Sequence, residues 1–229
     1  MMVIGQRLFT GRVAVAQAAL MFGRGIFAMT REYTDNKLCW APGGQRPPLS
    51  MLPQLSSLFA QADKAFTYAE EYSRICERNL CKCLRDNTVP PPGLIEAIAC
   101  AKIRSVETVV QLCFRLKQTV GSYALMHGSG FEATDTMQIA KFAEGESFVL
   151  MQKLARDRCK ARKTIADCSP AEEALVEELK TASAMEWVGK SEQVYQLAEL
   201  VMDRIMQSVT GSPLPGGIAR PFAEPMSRL

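Results

Sequence analysis

Histidine is almost missing from this chain. His127 is the only one in 229 residues. A multi-histidine metal centre is therefore excluded, and Ser-His or Cys-His catalysis has little to build on. Eight cysteines are present, but no two form a C-x-x-C pair. Several, such as Cys100 and Cys113, fall on apolar helix faces, where a free thiol packs as a small hydrophobe. We expect no metal ligands among them. No segment reads as a secretory signal, so an intracellular, reducing compartment is expected. No basic cluster is interleaved with aromatics, and the net charge is only +3, so no nucleic-acid partner is expected. Residues 1–31 hold four arginines, no acidic residue and no serine. Such a stretch suits a mitochondrial presequence or the first helix of a bundle, and the missing serine weakens the former. The apolar run "VAVAQAALMF" is too short to span a bilayer and is followed by Arg24, so no transmembrane segment is expected. Alternation at the strand period is also lacking throughout.

What remains is helix. "GRVAVAQAALMFGRGIFAMTREYTDN" is the first long segment, ended by the Pro/Gly-rich "CWAPGGQRPP". The longest segment runs from Leu49 to Asn87, with Pro53 in its first turns, where proline is tolerated. After "TVPPPG" comes a third, with Ile95, Ile98, Val106, Val109, Cys113 and Leu116 at three- and four-residue steps. A glycine-bearing loop from Gly121 to Asp135 then leads to a helix running to about Lys163. Its basic end, "RDRCKARK", complements the helix dipole. "CSPAEEALVEELK" opens another helix, with Ser169 as N-cap, Pro170 first inside and Glu172 as the reciprocal capping partner. "EQVYQLAELVMDRIMQSV" is the last. Long helices with short turns predict an all-α, up-and-down antiparallel bundle over residues 1–210. Residues 211–229, rich in proline and glycine, are expected to form an extended tail.

One helix carries an oddity. In "KFAEGESFVLMQKLARD", helical spacing from Met137 puts Glu144 on one face with Ala140, Ser147, Met151 and Leu154. A carboxylate partly withdrawn from water gains basicity, and Gly145 beside it permits close approach to the backbone. Glu146 is expected to point elsewhere and to be solvated. The bland alternative for Glu144 is a carboxylate at a helix start, stabilised by the macrodipole.

These residues carry a resemblance. From about Gly11 to Arg158 the chain resembles the C-terminal helical domain of the acyl-CoA dehydrogenase and acyl-CoA oxidase family. Glu144, in "EGES", stands at the glutamate of that family's E-G-T-S or E-G-D-N motif, often the catalytic base. Gln118 and Gly121, in "QTVGSYAL", stand at the first and fourth positions of its Q-x-x-G-G-x-G-Y loop, and Ser122 replaces the second glycine. Tyr33 matches the tyrosine of Y-x-x-x-R-x-Q-F-G, with Lys37 in the place of the arginine. The family's N-terminal and β domains have no counterpart here.

The resemblance implies α,β-dehydrogenation of an acyl-CoA thioester, with Glu144 as base and FAD as hydride acceptor. Lys37, Gln118, Gly121 and Ser122 would lie near the cofactor diphosphate, one bound by a neighbouring subunit. It implies a homo-oligomer or a complex with a longer paralogue, in mitochondria or peroxisomes. A non-catalytic helical subunit of a larger assembly is the alternative reading.

Overall fold

The computed structural model describes residues 2–161 and 168–222, with residues 2–6 as backbone only. Among these residues there are eight α-helices and no strand. They are α1 (Met2–Asn36), α2 (Pro53–Arg85), α3 (Pro92–Val120), α4 (Thr134–Gln138), α5 (Ser147–Lys160), α6 (Pro170–Lys180), α7 (Ala184–Gly189) and α8 (Ser191–Thr210). The all-α expectation holds. Helix α1 begins well before Gly11. The short helices α4 and α7 were not foreseen. A Ser183–Glu186 capping box opens α7, with each side chain bonded to the other residue's backbone N–H.

Helices α1 and α2 run antiparallel, held in register by a ladder. Gln17 donates to Glu77 at 2.8 Å, Arg24 pairs with Glu70 at 2.8 Å, and Arg31 pairs with Asp63 at 2.8 Å. Both strings step by seven residues, the repeat at which two helices keep one seam facing each other. The rungs are partly exposed, so they fix register more than they add stability. Beneath them Phe27 meets Phe59 and Phe66 edge-on.

Helix α3 is the centre. Every residue from 97 to 109 is buried, which makes it a core helix rather than an amphipathic one. Three charges lie inside this stretch: Lys102, Arg104 and Glu107, at 0%, 1% and 5% exposure. A buried charge must be paired, and the three tie α3 to two parts of the chain: Lys102 and Glu107 to the segment from Lys141 to Ser147, and Arg104 to α8 and the tail. Arg104 clamps α8 and the tail. It pairs with Glu199 and Asp203 and donates to the carbonyls of Glu199, at 3.0 Å, and Ala219. The backbone N–H of Ala219 donates to the buried Thr108 hydroxyl at 3.0 Å. Residues 218 and 219 are therefore core, and Phe222 stacks on Tyr195 at 4.7 Å. The segment expected to trail as an extended tail is strapped to the bundle up to its last described residue. The strap is written in single polar residues of α3, not in the tail's own composition.

Ser169 caps α6 as expected, accepting from the Glu172 N–H at 3.1 Å. The Glu172 carboxylate does not return the bond. It is buried between Arg158 and Arg204, at 2.6 and 2.9 Å, and pins α5, α6 and α8 together. Charge pairing in the interior outcompetes a capping bond available from solvent. In the basic run 156–163, Arg158 is thus a core pairing group. Lys160 ends α5 as a dipole complement, and Arg162 and Lys163 lie outside the described residues. Cys76, Cys100 and Cys113 are buried, and burial pushes all three thiols up, those of Cys76 and Cys113 to about 12. They are inert packing groups.

Candidate functional site

Glu144 is not helical. The chain between α4 and α5 passes through a short 3-10 turn, and α5 starts only at Ser147. Glu144 has φ 55°, in the left-handed region that a residue with a Cβ enters at a cost, and Gly145 follows at φ 104°. The helical-face alignment with Ala140 therefore fails at Glu144, although Ser147, Met151 and Leu154 are buried on one side of α5 as expected. The macrodipole role belongs to Glu146. It is the N-cap of α5 and accepts from the N–H groups of Phe148 and Val149 at 3.0 and 2.8 Å. With its neighbour taking that duty, Glu144 is left free of it.

Two cations hold the turn in its strained shape. Arg12 Nε donates to the Glu144 carbonyl at 2.9 Å. Lys102 Nζ reaches in from α3 and donates to the carbonyls of Lys141 and Gly145, at 2.6 and 2.9 Å, and to Ser147 Oγ at 3.0 Å. All three of its protons are used. Lys141 in turn pairs with the nearly buried Glu107 at 2.9 Å. The half-buried Glu144 side chain lies over Gly11 of α1. A Cβ at residue 11 would come within 2.6 Å of Glu144 Oε1, so glycine there makes room for the carboxylate. Burial pulls Arg12 below its usual value, and the adjacent Glu144 opposes the shift.

Burial also lowers Lys102 from 10.5 to about 8, against the pull of Glu146 and Glu107. The sign follows from proton counting. Between about 8 and 10.5 the unfolded chain holds a proton that the folded chain has released, so stability contributed through Lys102 rises with pH across that window. Lys102→Met removes the donor and strands two carbonyls, which costs about 2 kcal/mol near neutral pH. Urea unfolding of both proteins, near neutral pH and again in that window, should show the gap widening at the higher pH.

The remaining candidates gather at the opposite end of α1. Tyr33 stacks on Tyr123 of the loop after α3, with ring centres 3.9 Å apart. This stack ties "QTVGSYAL" to the end of α1 and brings Lys37 beside it. A shallow hollow of about 420 Å³ is lined by Tyr33, Lys37 and Tyr123, with Glu32 and Asn36. Gln118, Gly121 and Ser122 are exposed nearby in sequence, and Gly121, at φ 73°, faces open space. Lys37 and Glu32 share the hollow, so its positive charge is partly offset, and Gln118, Gly121 and Ser122 are not among its lining residues. Three other hollows lie elsewhere: against α3 and α4 beside Phe114, along α8 beside Arg204, and between α2 and α3 beside Cys83. Glu144 lines none of these four.

The structure thus divides the candidates into two groups. Gly11, under Glu144, and Asn36, beside Lys37, are separated by about three-quarters of α1, roughly 37 Å at the helical rise. Sequence reasoning missed Lys102 and Arg12. The signal was available for Lys102: a charge within "AIACAKIRSV", where no helix face is left for solvent. Comparison with protein-family models, curated proteins and solved structures finds no match to this chain.

Proposed function

We propose that this chain is the helical domain of a flavin-dependent enzyme that dehydrogenates acyl-CoA thioesters, with Glu144 as the proton-abstracting base. The observation that carries the reading is the turn itself. A non-glycine residue is kept in a left-handed conformation by Arg12 and Lys102, with Glu146 relieving it of capping and Gly11 clearing space for its carboxylate. Strain maintained by several independent groups is what a positioned functional residue requires.

In the reaction, a Glu144 oxygen takes the proton from the carbon next to the thioester carbonyl as the α,β double bond forms. FAD, when bound, accepts the hydride leaving the β carbon. Lys37, Gln118, Gly121 and Ser122 would hold its diphosphate by charge and by open backbone N–H groups. Arg12 would hold the backbone of the turn through the Glu144 carbonyl, which keeps the side chain over Gly11 before substrate arrives.

The second reading is a non-catalytic helical subunit of a larger assembly. It draws on the separation of Glu144 from Lys37 within one chain. The two readings part on one measurement, the flavin content of the native assembly purified through this chain. A yellow assembly supports the enzyme, and a colourless one supports the subunit.

A further inference from the structure

We propose that the hollow between α2, the start of α3 and the end of α8 binds a small amphiphilic anion, an apolar body carrying one carboxylate, with the apolar end inward and the charge on Lys82. The site goes beyond the flavin reading and does not rest on it. None of Lys37, Gln118, Gly121, Ser122 and Glu144 lines this hollow.

The interior of the hollow is apolar. The buried Cys76 and Ala97 line it, together with the half-buried Ile75, Leu94 and Val209. The Ala97 carbonyl is taken by the Tyr72 hydroxyl at 2.9 Å, and burial pushes the Cys76 thiol up to about 12. Neither one therefore offers a charge to a ligand. The space is about 390 Å³, within the range of roughly 300–1,000 Å³ that small-molecule sites occupy.

Rigid parts hold it open without a ligand. Past the end of α2 the chain turns through Asn87, at φ 50°, and the Thr88 N–H donates to the Cys83 carbonyl at 2.8 Å. Pro90, Pro91 and Pro92 then fix the approach to α3, and Pro91 lines the hollow. The Tyr68 and Thr210 hydroxyls meet at 2.9 Å, which pins the end of α8 to α2 beside Val209. Gly93 supplies part of the empty volume. It lines the hollow in the first turn of α3, and a Cβ there would meet nothing within 4 Å. Local structure does not require glycine at that point, since almost any other residue is a better helix former.

Polar groups gather at the mouth. Lys82 and Asn79 line the hollow and are exposed, and neither side chain makes a hydrogen bond or ion pair among the described residues. No acidic residue lines it. Arg78 and Arg85, four residues before and three after Lys82, lie on the same side of α2 and are equally unpaired. Of the two acids between Cys76 and Asp86, Glu77 is engaged by Gln17 at 2.8 Å, and Asp86 itself lies past the helix end. Lys82 and Arg85 complement the dipole of α2, which accounts for cations there but not for a recess beside them. An apolar recess with an unpaired ammonium and amide at its opening matches a carboxylate on an apolar body.

The test is calorimetric titration of the full chain with decanoate, with circular dichroism to verify folding. One saturable site is expected. Lys82→Glu should raise the dissociation constant about tenfold or more, because it turns attraction into repulsion. Gly93→Leu should abolish binding by filling the hollow, and should keep or raise the melting temperature. Decyltrimethylammonium, with the same apolar length and the opposite charge, should bind at least about tenfold more weakly. Glu144→Gln and Lys37→Glu should bind decanoate as the unaltered chain does. Absence of saturable binding, equal binding of the two head groups, or binding that survives Gly93→Leu would overturn the proposal. So would loss of binding in Glu144→Gln, which would put the ligand at the strained turn instead. A colourless assembly that still binds decanoate through Lys82 leaves this site standing and defeats only the flavin reading.

Discussion

Replacing Arg104 by methionine is expected to destabilise the fold by about 3–5 kcal/mol, the usual consequence of removing one partner of a buried ion pair. Arg104 is 1% exposed and sits between Glu199, Asp203 and two backbone carbonyls. Without it, Glu199 is a carboxylate in the core with no counter-charge. Burial already pushes the Glu199 carboxyl above its usual range even with Arg104 present, and Asp203 is raised for the same reason. Asp203 retains Arg220 at 2.8 Å, so the damage falls on Glu199. The loss should appear as a lower urea midpoint and a melting temperature down by roughly 10 °C. It should be accompanied by release of the 218–222 strap, read as increased proteolysis near Phe222. Arg104→Met with Glu199→Leu should recover most of the stability but not the strap, because the bond to the Ala219 carbonyl is still missing. If the single and double variants are equally unstable, the unpaired charge is not the cause.

The second large effect is on activity. Glu144→Gln should slow acyl-CoA oxidation by about 10²–10⁴-fold, the range a positioned general base supplies. The amide matches the carboxylate in size and keeps the backbone carbonyl that Arg12 grips, so helicity and melting temperature should be unchanged. Acyl-CoA affinity should change little, so the loss should fall on kcat rather than KM. Lys37→Glu should do the opposite, weakening flavin retention with little effect on what remains bound. A Glu144→Gln protein that turns over normally would leave the strained turn without its proposed purpose.

The helices were legible because their signals are local and repeated. Pro53, Pro92 and Pro170 each open a helix near the expected place, and Gly211 closes α8 in the left-handed conformation. The turn at Glu144 was not legible. Its residues read as helix at the right spacing, and what breaks the helix is a lysine some forty residues earlier, reaching across the core to claim the carbonyls of Lys141 and Gly145. The strapped tail escaped for the same reason, since its anchor, Arg104, belongs to another element. Both misses trace to buried charges of α3, whose partners periodicity cannot name. The candidate residues come from the resemblance to the acyl-CoA dehydrogenase and oxidase motifs alone, and that resemblance says nothing of how they are spaced in the fold. Their division along α1 depends on the 35-residue length of that helix, a fact of geometry rather than motif.

The most direct measurement is the yellow absorbance of the native assembly, purified through this chain and mixed with an acyl-CoA in the absence of oxygen. The band should be present at the start and should bleach as hydride passes to the flavin, slowly or not at all in the Glu144→Gln assembly. An assembly with no flavin band, or one whose band ignores acyl-CoA, would contradict the role assigned to Glu144.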